Sequence, residues 1–577
     1  MSLYPYEIKT SAKLEAALRS SLTKVFADEL PEEADPLALH SVIPGQSFSF
    51  QLALKSQEAW ISNYRIHSQI EAKDLLFFEQ VKITANIREV VHVPVTFPGN
   101  GFDGHSLRET AGLYPDLLKP LQNERVKLAY RQWETLWIEL DVPADTRPGR
   151  YLVSLWLNAV DTPVDSEGYR TENADCRVTF ELDVIAANVT KPEIKHTEWF
   201  HTDCLADYYQ VDVFSEEHWE IVRQFVAAAV KRHMNMLLTP VFTPPLDTVI
   251  GGERTTVQLV GVKRSAPDQY SFDFTLLGRW IDMALNEGIE YFEISHLFTQ
   301  WGAKAAPKVM ADTEDGFKRI FGWDTPVSEA AYGRFLAAFL PELKSYLDEK
   351  GLAGRAFFHI SDEPSIHSLD DYRHAKSLVE PYVGDYKIID ALSDLEFYKI
   401  GAVDNPIVAN DHIAPFLDDE VPGLWAYYCV SQWNQVPNRF MAMPSARNRI
   451  NAWLLYQDRI EGFLQWGYNF YNTQYSLKKI NPFIETGAGK AFAAGDAFIV
   501  YPGDDGEPWE SLRMVVLGDS FGDFAALQAL DRLKGEGSGH AFLKEHLAEA
   551  MTWKSYPRDS HFILSTRQAL NEALAEA

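Results

Sequence analysis

The chain has 577 residues, with 53 Lys and Arg against 82 Asp and Glu, and its net charge of −29 excludes binding to a phosphate backbone through counterion release. Apolar residues at 46% and charged residues at 23% are an ordinary globular mix, and the length calls for about two to four domains. Three scattered cysteines, Cys176, Cys204 and Cys429, exclude a disulfide framework and a cysteine-based zinc site. The opening MSLYPYEIKTSAKLE has no apolar core of a leader, and no run approaches the roughly 18 apolar residues of a membrane span. As it stands the chain reads as cytoplasmic, with no membrane or nucleic-acid partner; secretion stays open if a leader has been removed.

Residues 1–190 read as strands. A short helix is expected over 12–30, followed by alternating sets: Phe48, Phe50, Leu52, Leu54; Val81, Ile83, Ala85, Ile87; Leu136, Ile138, Leu140, Val142. Tyr151, Val153, Leu155, Leu157 and Val178, Phe180, Leu182, Val184 repeat the period of two, and turn text such as PADTRPG (Pro143–Gly149) joins them. Half-buried strands without long helices between them predict an antiparallel β-sandwich with an accessory or scaffolding role.

After Pro192 short β-rich runs alternate with amphipathic helices, the rhythm of a parallel sheet. Eight strands are expected at 197–204, 234–242, 289–298, 355–364, 386–394, 405–413, 423–430 and 462–471. Ser215 should cap a helix bearing Trp219, Val222, Val226 and Val230. A second helix carries Tyr332, Phe335 and Phe339, with Pro341 expected to kink or break it and Gly351 to end it. A third holds Ile450, Trp453, Leu454 and Gln457, and the eighth falls within 510–535. Eight units predict a (β/α)8 barrel over 191–577, with its active site at the C-terminal strand ends; a doubly wound open sheet is the competing architecture.

The segment FFHISDEPS (357–365) puts Asp362 and Glu363 at the expected mouth of the fourth barrel strand. Pro364 should hold Glu363 extended, and Ser368 with Asp371 reads as a capping box for the next helix. The bland reading is a capped, solvated strand end. Adjacent carboxylates are badly placed to straddle a glycosidic bond, which needs acids from different strands. They suit instead a reaction in which the sugar's own 2-acetamido oxygen attacks. Asp362, ionised, would orient the acetamido group, and Glu363, its pKa raised, would protonate the leaving oxygen.

FFHISDEP, WAYYCVSQWNQVPNRFMAMP (425–444) and GFLQWGYNFYN (462–472) resemble the glycoside hydrolase family 123 β-N-acetylgalactosaminidases and their relatives that share the DUF4091 C-terminal domain. The segment YPGDDGEPWESLRMVVLGDSFGDFAAL (501–527) looks like the end of that domain, with Leu517-Gly518-Asp519 where an Arg-Asp-Gly-like turn is usual. The resemblance covers about 190–577. It implies a retaining hydrolase of terminal β-linked N-acetylhexosamine, leaning to N-acetylgalactosamine, with Glu363 as acid/base and Asp362 as the acetamido-orienting residue. It implies a carbohydrate as the partner; no cofactor is expected, since no metal-ligand spacing and no nucleotide-binding loop is present.

Strand-end aromatic and polar residues are candidates for binding sugar: Trp466, Tyr427, Tyr428, Asn469, Trp301, Tyr468 and Asp411, with Trp466 and Tyr428 foremost because family-like text surrounds them. Ordinary core packing competes for each. His201, Asp203, Glu293, His296, His359, Asp390 and Asn410 also fall on strand ends, but no metal-ligand spacing links them, and His359 reads as an interior residue. Three rival functions stay open. One is a glycosidase on a sugar without an acetamido group, pairing Glu363 with Glu293 or Asp394; another is a catalytically silent carbohydrate-binding relative. The third is a serine hydrolase on Gly518-Asp-Ser520-Phe-Gly522, which matches a nucleophile elbow.

Overall fold

The computed structural model describes residues 5–58, 60–73, 81–160, 174–364 and 366–577. Two antiparallel sheets lie face to face at the N-terminal end. One runs in the order Tyr6–Thr10, Cys176–Val184, Gly149–Ala159, Ile61–Ala72, Arg125–Ala129. The other runs Leu14–Ser20, Ser47–Ser56, Trp133–Asp141, Thr84–Val95, Gly112–Pro120. Their alternating apolar faces meet in one core, where Phe50 packs edge-on to Phe180 at 5.0 Å beside Leu136, Ile138, Val153 and Val178. The helix expected over 12–30 is instead a strand: Leu14–Ser20 pairs with Ser47–Ser56 in the register Ala17↔Ala53. Leu, Ala and Glu favour a helix in isolation, but burying Leu14 and Leu18 in the sandwich wins.

Eight parallel strands then close into a barrel: Lys195–Glu198, Met236–Thr239, Tyr291–Ile294, Ala356–Phe358, Lys387–Leu392, Asn405–Ala409, Trp425–Tyr427 and Gly462–Gln465. All fall within or against the segments read from sequence. Strand one ends early, because Thr202–Tyr209 is helical. Ser215 caps Glu216–Lys231 through an acceptor bond from the His218 N–H. Pro341 does not break its helix, which runs from Ala330 to Glu349. Seven buried side chains along it, Tyr332 to Leu347, outweigh the roughly 3 kcal/mol that an internal proline costs. A small sheet of Gly261–Ala266, Gln269–Asp273, Val309–Thr313 and Gly316–Phe321, absent from the sequence reading, fills the excursions after barrel strands two and three. Ser520 lies inside the helix Leu512–Lys534 with no strand-to-helix elbow, its hydroxyl donating to the Arg449 carbonyl, which removes the serine-hydrolase reading.

Sandwich and barrel share an interior. Val90, Tyr114 and Trp137 of the sandwich belong to the same apolar cluster as Ile221 and Val222 of the barrel. Across the seam, Arg232 bonds Glu139 of the sandwich and Glu510 of the barrel at 2.8 Å, and Arg88 bonds both carboxylates. Burial alone would raise both acids, but the guanidinium charges hold Glu139 well below the usual carboxylate range and Glu510 at about 2. Asp116 likewise receives Arg513 at 2.7 and 2.9 Å. The sandwich also grips loops at the barrel mouth. The Pro94 and Phe97 carbonyls accept from Thr486 and Ala494, and Asp103 bonds Arg447 and the Gln435 N–H.

Candidate active site

Side chains alternate along each barrel strand, and the inward set of Trp199, Leu238, Phe357, Ile389, Ile407, Trp425, Tyr427 and Leu464 fills the interior. Above this plug, at the C-terminal strand ends, lies a pocket of about 220 Å³ whose lining includes Trp199, Asp247, Trp301, Asp362, Glu363, Tyr427 and Trp466. That volume is below the range of drug-sized pockets and suits a single sugar ring. A larger cavity of about 490 Å³ lies at the sandwich–barrel seam. Its Arg232, Arg449 and Arg567 are all bonded to carboxylates.

Asp362 and Glu363 do project into one pocket. Glu363 is exposed at the rim and its Oε1 accepts the Tyr427 hydroxyl at 2.7 Å. Burial, and then the charge of Glu363, hold the phenol proton firmly on Tyr427, so this hydroxyl remains a donor. Glu363 is not extended as its proline neighbour suggested; its φ is +43°. Pro364 disfavours the right-handed helical region, and the Asp362 carbonyl is drawn to the Trp301 N–H at 2.8 Å, leaving a left-handed turn. Asp362 sits deeper and is half-buried. Desolvation, then the neighbouring charge of Glu363, push its carboxyl well above the usual range, with Asp390 and Asp247 adding to the rise and His359 opposing it. Burial thus falls on Asp362, and Glu363 stands at the solvent side of the pair.

Below the pair runs a buried polar chain. His359 Nε2 meets Glu293 at 2.9 Å and Nδ1 meets Asp390 at 3.3 Å, while Tyr372 donates to Asp390 at 2.5 Å and Trp199 to Glu293 at 2.9 Å. Burial works against a charged imidazole, yet the bonds to Asp390 and Glu293 win and lift His359 to about 9. His296 stacks on it at 4.4 Å, with both ring nitrogens unpartnered. His296, His359 and Asp390 are the set among the described residues that could approach a metal ion. Ring lone pairs lie in the ring planes, and these planes are only 19° from parallel, so the two imidazoles do not converge on one ion. Glu293 is buried with its Oε2 bonded to His359 and Trp199, Asp394 caps the helix Leu395–Lys399, and neither lines the pocket.

Of the remaining sequence candidates, Trp466 and Trp301 line the pocket. The Trp466 indole donates to Asp496 at 3.0 Å, and its carbonyl accepts His201. Tyr428 and Tyr468 face away: Tyr428 packs on Phe463 in the outer core, and Tyr468 donates to the Phe225 carbonyl. Tyr427, one residue earlier, holds the place expected of Tyr428, because neighbours on a strand point to opposite faces. Asn469 is buried and ties loop eight to the His201 backbone. Asp411 bonds Gln432 and His412 outside the pocket. Sequence reasoning missed Trp199, Asp247 and Phe492. Trp199, an aromatic closing strand one, carried a usable signal; the other two lie in loops without periodicity.

The family described as Glycoside hydrolase 123, catalytic domain, matches residues 199–530. No curated protein matches the chain. Among solved structures, a family 123 glycoside hydrolase from Clostridium perfringens, studied for glycolipid glycan hydrolysis, superposes with a TM-score of 0.72 at 13% identity, covering 98% of each chain. A putative β-galactosidase from Bacteroides fragilis gives a TM-score of only 0.32 at 9% identity, over 84% of this chain and 59% of that one. No helix among the described residues is long and apolar enough to cross a membrane.

Proposed function

The chain belongs to glycoside hydrolase family 123, and from that premise we propose that it releases a terminal β-linked N-acetylhexosamine, with retention, through the sugar's own 2-acetamido group. The observation that carries this reading is one pocket, sized for one ring, holding two sequence-adjacent acids of unlike exposure. Exposed Glu363 can protonate the glycosidic oxygen as the acetamido oxygen attacks C1 and the C1–O bond breaks. Asp362, deeper, can accept the acetamido N–H; burial and the charge of Glu363 favour its neutral form, and an incoming amide donor favours the ionised one. Water then attacks C1 of the cyclised intermediate, giving Glu363 back a proton and reopening the acetamido group. Trp466 and Trp199 supply apolar walls, and the Tyr427 hydroxyl aims the Glu363 carboxyl.

N-Acetylgalactosamine is the first sugar to test, because 425–444 and 462–472 resemble β-N-acetylgalactosaminidases and the Clostridium structure belongs to glycolipid glycan hydrolysis. We read 501–527 as part of a DUF4091-type C-terminal region on the same resemblance. A second reading, a glycosidase on a plain hexose, draws on Asp247, a further carboxyl lining the pocket. Glu363→Gln should lower kcat/KM by roughly 10²–10⁴ on a substrate with a poor leaving group. An N-acetyl thiazoline, mimicking the cyclised intermediate, should inhibit; a plain hexoside turned over without thiazoline inhibition would replace the first reading with the second.

A further inference from the structure

Backbone strain gathers at one side of the pocket. Asp247, Trp301, Ala303, Glu363, Tyr475 and Ser476 all have left-handed φ, between +40° and +60°, although none is glycine. They come from the loops after barrel strands two, three, four and eight, and they are tied together. The Asp247 carboxylate accepts the Tyr475 N–H at 3.0 Å, and its carbonyl accepts the Ser476 hydroxyl at 2.7 Å. Its own N–H donates to Gln300 Oε1 at 2.5 Å, and the Trp301 N–H donates to the Asp362 carbonyl. The product of this lacing is a pair of rings held apart from the core: Trp301 and Tyr475 meet edge to face at 5.7 Å and 89°, yet stay 43% and 36% exposed. Solvated aromatic rings fixed on strained backbone at a pocket rim are a built feature, since both exposure and strain oppose folding.

Exposure gives the direction. Trp199 on the pocket floor is 3% exposed and Tyr427 is 4% exposed. Trp466 is half-buried, whereas Trp301 and Glu363 are exposed at the rim. The acid must sit beside the bond that breaks, so the terminal sugar lies inward of Glu363 and the leaving group outward. We propose that Trp301 and Tyr475 form the platform for the leaving-group sugar, and that Asp247 is the positioning residue that clamps it. The class of ligand is a saccharide attached through its hydroxyl to the terminal residue, stacked by its C–H face on the Trp301 indole. This rests on the hydrolase reading above, and the test separates the two.

Two substrates sharing one terminal sugar are compared: the N-acetylgalactosaminyl fluoride, whose leaving group has no ring, and a disaccharide of β-linked N-acetylgalactosamine on galactose. Trp301→Ala and Tyr475→Ala should each lower the ratio of kcat/KM on the disaccharide to that on the fluoride by about three- to tenfold. Trp301→Phe should recover part of that loss. Asp247→Ala should lower the same ratio, with Asp247→Asn, which keeps an acceptor for the Tyr475 N–H, lowering it less. An unchanged ratio in both aromatic variants overturns the platform, whatever happens to the absolute rates. If the wild type hydrolyses neither substrate, the N-acetylgalactosaminidase reading fails, and the platform is judged by calorimetric titration of the same disaccharide. Weaker binding in Trp301→Ala than in wild type then supports it, and equal or absent binding overturns it.

Discussion

Removing one hydroxyl at the rim tests how the acid is aimed. Tyr427→Phe deletes the 2.7 Å bond to Glu363 Oε1 and leaves the ring, which is buried in the barrel interior, in place. A hydrogen bond to the protonated, neutral carboxyl is worth about 0.5–1.5 kcal/mol, and if that energy fixes it toward the leaving oxygen, kcat/KM should fall by about three- to tenfold on poor leaving groups. The loss cannot be uniform across substrates. A poor leaving group needs the proton of Glu363 at the transition state, whereas a dinitrophenolate departs almost unaided, so it should be spared. The assay is a series of aryl N-acetylhexosaminides of rising leaving-group pKa, with kcat/KM plotted for both proteins. A steeper fall for the variant is expected. A parallel line, or a loss under about threefold throughout, would refute the role given to this hydroxyl; a thermal midpoint matching wild type guards against a trivial unfolding effect.

Asp362 is held well above the ordinary carboxylate range, so the ionised form that the proposed mechanism needs as acceptor is lost as pH falls through that raised value. The acid limb of kcat/KM should therefore lie above about pH 4, and Asp362→Asn should lower turnover by about 10²–10³ and erase that limb; a wild-type limb at or below 4 contradicts the assignment. Glu139→Ala leaves Arg88 and Arg232 short of a buried counter-charge and should cost about 3–5 kcal/mol in denaturant unfolding, a loss under about 1 kcal/mol being the contrary result. Glu139 and Glu510 are both depressed, so their stabilisation is complete above about pH 4.3 and drains away as pH falls toward 2, with unfolding midpoints tracking that window. Ser520→Ala should keep full hydrolysis and the wild type should resist an organophosphate label, since Ser520 is buried between the Arg449 carbonyl and the Ala452 N–H; stoichiometric labelling would revive it.

What could be read from sequence follows from periodicity. Alternation located five sandwich strands, and the βα rhythm located all eight barrel strands, because a parallel strand buried on both faces is a short apolar run between helices. The acid pair was visible for the same reason, at the end of FFHIS. Periodicity gives a face only when the register is right, and there the reading of Tyr428 slipped by one residue from Tyr427. Leu14–Ser20 misled through intrinsic propensity, which a neighbouring strand overrode. Asp247 and Tyr475 were invisible: they meet across 228 residues of chain, in loops whose shape is set by each other's hydrogen bonds.

The seam between sandwich and barrel decides what can be cut from this protein. A fragment begun near residue 191 would keep Arg232 and Arg513 but surrender Glu139 and Asp116, and it would bare the surface that Tyr114 and Trp137 cover. Its mouth would lose the carbonyl and carboxylate anchors that hold the 435–447 and 486–494 stretches. Trimming the first 190 residues would accordingly yield aggregate instead of a minimal enzyme, and any smaller catalyst built on this scaffold has to begin by redesigning that face.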